Sequence, residues 1–134
     1  MPKPIRAWMW MLQAVLLLPV AAFAQMRLAT PLDEGWHFRK AGDRYWQGIA
    51  LPHTFNAGDG TDANPYRGPA WYRRTLSLPR QQAGQRRFLE FDGAMLVTEV
   101  WVNGHDAGRH AGGFARFRFD ITPWLKSGRN QIVV

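Results

Sequence analysis

Apolar and polar side chains alternate with a period of two along several short segments of the chain. Leu32 to Arg39 places Trp36 and Phe38 on one face, and Trp71 to Leu78 continues the pattern further along. Successive side chains of a strand point to opposite faces, so this alternation predicts β-strands rather than helices. Clusters of glycine, proline and Asx residues separate the segments. The pattern therefore predicts an all-β fold, either a sandwich or a barrel.

A β-hairpin is the best defined element of the pattern. The strand from Val97 runs into Asn103-Gly104, two residues that tolerate the positive φ of a type I′ turn. We expect a short return strand because glycines interrupt it at Gly108, Gly112 and Gly113. These glycines are interpreted as backbone requirements of turns and bulges. A hairpin is not stable alone in water, so a second sheet must cover it.

The chain after the hairpin predicts two more strands. From Phe114 to Phe119 the arginines fall on one face, and Phe117 and Phe119 fall on the other. Lys126 to Asn130 is expected to form a turn. Gln131 to Val134 then begins a last strand, which we interpret as cut off and as leaving an exposed apolar edge.

The first 24 residues have the layout of a secretory signal peptide. Lys3 and Arg6 make a basic start, an apolar stretch follows, and small residues precede a cleavage site between Ala24 and Gln25. An uncleaved anchor is the alternative, but a membrane span needs about 20 apolar residues. The sequence predicts a signal peptide at 1–24 and one domain at 25–134. A bacterial periplasmic or secreted protein, free of the membrane after cleavage, is expected.

Composition narrows the function classes. The chain carries a formal net charge of +7, two units of which lie in the predicted signal peptide. The basic residues are dispersed in pairs, which favours solvated strand faces over the continuous stripe of a nucleic-acid binder. The chain has no cysteine, so a disulfide framework is excluded. We expect no nucleic-acid partner and no cofactor.

The motifs resemble a known family. Residues 100–114 read V-W-V-N-G-H-x-x-G-x-H-x-G-G-F, and F-D-I-T and G-x-N follow at 119–122 and 128–130. This set is similar to the amino-terminal sugar-binding domain of glycoside hydrolase family 2. L-P-H-T-F-N at 51–56 resembles the family's L-P-H-T-W-N. Asp59-Gly60, Asp62, Y-R-G at 66–68 and W-Y-R-R at 71–74 resemble its β-galactosidase branch in particular. The resemblance implies a jelly-roll β-sandwich of the galactose-binding-domain type, truncated here at its carboxyl-terminal end.

The resemblance also implies where catalysis occurs. Retaining glycosidases use two carboxyl groups about 5–5.5 Å apart, and this family carries both glutamates on a downstream barrel. The glutamates of this chain, Glu34, Glu90 and Glu99, match neither and are expected on the surface. We therefore assign no catalytic residue and expect this chain alone to be inactive. The implied partners are the missing downstream domains and a β-linked sugar or oligosaccharide.

The long loop from His53 to Ala70 is the candidate sugar-binding element. Asp59, Asp62 and Asn64 offer carboxylate and amide groups that suit sugar hydroxyls. The same residues also cap their own backbone turns, and that structural interpretation stands beside the functional one. A calcium site is disfavoured because the EF-hand spacing and its terminal glutamate are missing.

The histidines of the chain do not predict a metal site. His53, His105 and His110 are interpreted as structural, since His105 and His110 would face opposite ways on a regular strand and no third clustered ligand supports zinc. Trp101 and Trp124 are interpreted as core or interdomain packing. A free-standing carbohydrate-binding module and a secreted interaction domain remain alternatives to a hydrolase fragment.

Overall fold

The computed structural model describes residues 27–54, 56 and 65–134. The chain divides into two compact units, Met1–Thr30 and Pro31–Val134. Residues 27–30, the described part of the first unit, carry no regular secondary structure. The predicted cleavage residues Ala24 and Gln25 lie outside the described residues. Within the described ranges, no helix is long and apolar enough to cross a membrane.

Six antiparallel strands form the larger sheet of the second unit, in the spatial order β2-β1-β3-β8-β5-β6. The central strands β1, β3 and β5 follow alternating segments of the sequence. The bounds of these strands are β1 Trp36–Lys40, β2 Gln47–Ile49, β3 Ala70–Leu78, β5 Val97–Val102, β6 His105–Ala111 and β8 Gly128–Val133. Apart from one 3-10 turn at Thr122–Trp124, the described residues contain no helix. The all-β prediction is confirmed.

A second sheet pairs β4, Phe88–Phe91, with β7, Phe117–Asp120. Its Leu89 packs in one hydrophobic cluster with residues of the large sheet, so the two sheets share a core. The buried members of this cluster are Trp36, Leu89, Val100, Val102, Ile121 and Ile132. Each strand of the large sheet therefore has an inner face toward this core and an outer face away from it. The arrangement is a β-sandwich, in agreement with the sequence.

The predicted hairpin turn has the expected backbone. Asn103 and Gly104 adopt φ values of 51° and 83°. The return strand β6 is nevertheless seven residues long, so the expectation of a short strand was wrong. The register shifts between Val100 and Trp101, and one extra residue of β6 is accommodated beside Gly108, whose φ is 132°. A glycine at the bulge bends the strand without ending it.

The same bulge changes the orientation of the two hairpin histidines. His105 pairs with Val102 and His110 pairs with Thr98, and both partners are buried residues of the inner face. Directly opposite residues of paired strands share a face. His105 and His110 therefore lie on the same side of the sheet, whereas on a strand without a bulge they would face opposite ways. His110 stacks on Phe117 with 3.9 Å between ring centroids, which supports a structural role.

The last strand begins earlier than its sequence suggests. Gly128 to Asn130 belong to β8 rather than to the predicted turn. β8 pairs with β3 on one side and with β5 on the other. Val134 also exchanges two backbone hydrogen bonds with Tyr72. This segment therefore lies inside the sheet, and the expectation of an exposed edge at Gln131–Val134 was wrong.

A buried amide network joins the hairpin turn to the start of β8. Asn130 is only 1% exposed. Its Oδ1 accepts hydrogen bonds from Asn103 Nδ2 and from the Lys126 amide, each at 2.8 Å. Its Nδ2 donates to the carbonyls of Lys126 and Gly128. Asn103 in turn donates to the Trp124 carbonyl and accepts from the Gln131 amide. The network explains why both asparagines belong to the motif.

Candidate functional site

The described ends of the 53–70 loop are tied to each other. Asn56 Nδ2 donates to the Tyr66 carbonyl at 3.3 Å, across ten residues of chain. The Tyr66 hydroxyl donates to the Pro69 carbonyl and accepts from the Ala41 amide next to β1. The described part of the loop contains no strand until β3 begins at Ala70. The Asn56–Tyr66 hydrogen bond therefore holds the described residues on either side of 57–64 close together.

His53 anchors the amino-terminal end of this loop on the large sheet. Its Nδ1 lies 2.9 Å from the Tyr72 hydroxyl, and its ring contacts Phe38 with centroids 4.6 Å apart. Burial lowers the pKa of His53 below its ordinary value of 6.5, and the charge of Lys40 lowers it further. Burial also raises the pKa of Tyr72. A neutral imidazole bonded to a tyrosine is suited to positioning the chain.

The residues predicted to bind sugar, Asp59, Asp62 and Asn64, lie outside the described residues. The structure describes the two ends of the loop that contains them. These ends are held by the Asn56–Tyr66 hydrogen bond and by the contact between His53 and Tyr72. Both features attach to β1, β3 and the segment just after β1. The assignment of the three residues to a substrate contact stays a prediction.

The three glutamates are exposed surface residues, as expected. Glu90 pairs with Arg116 at 3.7 Å, and Glu99 pairs with Arg109 across the hairpin at 3.5 Å. Among the described residues, no group of three histidine, cysteine, aspartate or glutamate side chains is arranged to hold a metal ion.

The glycines Gly112 and Gly113 directly follow β6, where Gly112 has a φ of 138° and its amide donates to the Leu96 carbonyl. Their structural assignment fits this geometry.

A cluster of tryptophan and arginine side chains is the feature that sequence reasoning missed. Arg39 and Arg73 both lie over the ring of Trp46, with guanidinium carbons 4.9 and 4.0 Å from its centroid. Arg39 also lies 5.5 Å from the centroid of Trp71. These side chains are half-buried rather than fully solvated. The clue in the sequence was the period-two alternation of these strands. It puts Trp71 and Arg73 on the same face of β3, and Arg39 on the face of β1 that points away from the apolar residues.

Comparison with known proteins identifies the domain. The family described as glycosyl hydrolases family 2, sugar binding domain, matches residues 25–134. The chain belongs to this family. A putative β-glucuronidase of Formosa agariphila is 44% identical over 94 residues, which are 69% of this chain and 11% of that protein. The family 2 domain thus corresponds to a small part of that relative.

Solved structures agree with the family 2 assignment. A putative β-galactosidase from Bacteroides fragilis superposes with a TM-score of 0.71 at 35% identity, covering 78% of this chain and 18% of that one. A Bacteroides uniformis β-glucuronidase gives a TM-score of 0.69 at 32% identity, covering 78% and 14%. The chain therefore spans less than a fifth of the length of these relatives. The resemblance of the sequence motifs to the family 2 sugar-binding domain is confirmed.

Proposed function

We propose that this chain is the amino-terminal sugar-binding domain of an exported family 2 glycoside hydrolase, with the strand topology of a jelly roll. The observation that carries the proposal is the family match over residues 25–134. The shared core between the two sheets supports it. Export rests on the basic start and the Ala24–Gln25 cleavage pattern. A periplasmic or secreted location follows from this part of the proposal.

The substrate class we propose is a β-linked glycoside of glucuronic acid or galactose. The similarity to proteins named β-glucuronidases favours the glucuronide. The similarity to a putative β-galactosidase and the motifs Y-R-G and W-Y-R-R favour the galactoside. Both sugars present several hydroxyl groups, which carboxylate and amide side chains bind well.

In this proposal the 53–70 loop contacts the sugar, while downstream domains supply the chemistry. Hydrolysis needs an acid and a nucleophile held about 5–5.5 Å apart on either side of the glycosidic bond. Glu90 and Glu99 are exposed and paired with arginines, which suits neither role. Asp59, Asp62 and Asn64 would add hydroxyl contacts from a loop whose ends are fixed by Asn56 and Tyr66.

Steady-state assays test this division of roles. The purified chain and the longer product of its reading frame would be assayed on nitrophenyl β-glucuronide, β-galactoside and β-mannoside. We expect turnover by the longer product alone, and a raised KM when Asp62→Ala is introduced into it. Glu34→Ala, a surface change, is the matched control and should leave KM unchanged. Turnover by the purified chain that disappears in Asp59→Ala or Asp62→Ala would overturn the proposal.

Export is tested separately by intact-mass analysis of periplasmic protein. We expect a chain that begins at Gln25, because small residues precede that position. A variant with Ala24→Arg should block cleavage and accumulate as precursor. A mature protein that retains Met1 would refute this part of the proposal without affecting the family assignment.

A further inference from the structure

The outer face of the large sheet carries aromatic and cationic side chains on β1, β3 and β5, with Val133 of β8 between the last two. Arg39 of β1 lies opposite Trp71 of β3, and Arg73 of β3 lies opposite Val133 of β8. Val133 is in turn opposite Trp101 of β5. Directly opposite residues share a face, so these side chains lie on one side of the sheet. We call Arg39, Trp46, Trp71 and Arg73 the outer-face cluster.

Two like charges share one aromatic ring in this cluster. Arg39 and Arg73 both lie within about 6 Å of the Trp46 centroid, the range of a cation–π contact. Contact with the ring favours each guanidinium but leaves its charge uncompensated. None of the ion pairs among the described residues includes Arg39 or Arg73. The Nε atom of Arg39 is buried and has no hydrogen-bond partner there. Two cations held close together repel each other, and an anion bound between them would offset this repulsion.

The geometry points to a ligand that is both a sugar and an anion. A guanidinium that lies over a ring keeps its in-plane N–H groups free to donate to an oxyanion. Indole rings beside it offer apolar surface to the carbon–hydrogen face of a pyranose. We propose that the outer-face cluster binds an acidic saccharide, with Arg39 and Arg73 donating to a uronate carboxylate or a sulfate ester and Trp71 contacting the sugar ring.

This site is distinct from the 53–70 loop in its chemistry. The loop offers carboxylate and amide oxygens, which suit hydroxyls, whereas the outer-face cluster offers donors, which suit anions. Arg129 lies opposite Ser77 on the same outer face and adds to its positive charge. The inference does not depend on the hydrolase assignment, because binding is measured on this chain without turnover.

Tryptophan fluorescence and calorimetry of the purified chain test the proposal, with three oligosaccharides of equal length. One carries uronate carboxylates only, one is a galactan that carries sulfate esters only, and one is a neutral galactan. We expect saturable quenching by at least one acidic oligosaccharide and not by the neutral one. Whichever acidic oligosaccharide binds identifies the anion as a carboxylate or a sulfate ester. Affinity should fall as ionic strength rises, because the contact is charge-assisted.

Variants then locate the site. Arg73→Gln and Arg39→Gln should each weaken binding about tenfold, as expected for loss of a charge-assisted hydrogen bond. Arg73→Lys should recover only part of the affinity, because it keeps the charge but loses the planar donors. Arg80→Gln, an exposed residue in the turn after β3, makes the same charge change elsewhere and should have no effect.

Three results would overturn the proposal. The first is no saturable binding of either acidic oligosaccharide at millimolar concentration. The second is equal binding of the neutral oligosaccharide. The third is an equal loss in Arg80→Gln, since that would indicate attraction to net charge alone. Near-ultraviolet circular dichroism of each variant would verify its fold, and Arg73→Lys provides the comparison if a glutamine variant fails to fold.

Discussion

Replacing Asn130 with alanine should destabilise the domain strongly, although the change removes only a small polar group. The side chain is 1% exposed and makes four hydrogen bonds, two as acceptor and two as donor. These bonds connect the turn before β8 to the hairpin turn at Asn103. Because β8 pairs with both β3 and β5, loss of this connection affects the centre of the large sheet.

The magnitude follows from the bonds that are lost. A typical intramolecular hydrogen bond contributes about 1 kcal/mol net, so four of them bound the effect at about 4 kcal/mol. Lys126 is exposed, so water replaces part of what its amide and carbonyl lose. We therefore expect the free energy of unfolding to fall by about 2–4 kcal/mol. For a domain of this size that corresponds to a decrease in Tm of about 8–16 °C.

Urea denaturation followed by circular dichroism measures this loss. Gln131→Ala is the matched control, because the adjacent side chain is exposed and Gln131 bonds to Asn103 only through its backbone amide and carbonyl. The control should change stability by less than about 0.5 kcal/mol. Asn130→Asp should be at least as harmful as alanine, since it loses both donated bonds and buries a charge. A loss below about 1 kcal/mol in Asn130→Ala would refute the reasoning, because one ordinary bond would then account for the network.

Two further predictions concern the backbone and the pH dependence. Gly104→Val should destabilise by more than about 1–2 kcal/mol, because a β-branched residue resists a φ of 83°. Gly48→Val, on an edge strand with open space around it, should not, and equal thermal shifts in the two variants would contradict the turn assignment. Bonds from Thr122 and Arg86 lower the pKa of Asp120 from 3.8 to about 2. The ionised form therefore stabilises the fold above pH 3.8, and the contribution is lost as pH falls toward 2. Asp120→Asn should have a lower Tm than the parent protein at pH 7 and the same Tm as the parent near pH 2. A difference in Tm that stays constant over this pH range would contradict the prediction.

The sequence sufficed for features that depend on local chemistry. Strand alternation at Trp36 and Phe38 and the positive φ at Asn103 each follow from a few neighbouring residues, and both are confirmed. Prediction from the sequence failed where one inserted residue shifts the alternation of inward and outward side chains along a strand. The bulge beside Gly108 reversed the expected orientation of His110, because one inserted residue turns every later side chain to the other face.

Non-local pairing was the second source of error. Gln131–Val134 looked like an edge because the chain stops there, yet β8 lies between β3 and β5. Strand order depends on contacts between distant segments, and alternation in one segment carries no information about its neighbour. The arginines of the outer face were misinterpreted as solvated for the same reason. Arg39 is close to Arg73 only because β1 and β3 pair, and Trp46 joins them from the segment before β2.

The motif that identifies the family serves the fold, and this has a consequence for substrate choice. Asn103 and Asn130 are separated by 27 residues, yet they bond to each other and to the same turn. Residues that hold a hairpin against a central strand are required whichever sugar the protein binds, so they do not discriminate between glucuronides and galactosides. Discrimination must come from side chains with polar groups free to meet a ligand. The positions to exchange in a specificity experiment are therefore Asp59, Asp62 and Asn64 of the loop and Arg39 and Arg73 of the outer face, with Asn103 and Asn130 left intact.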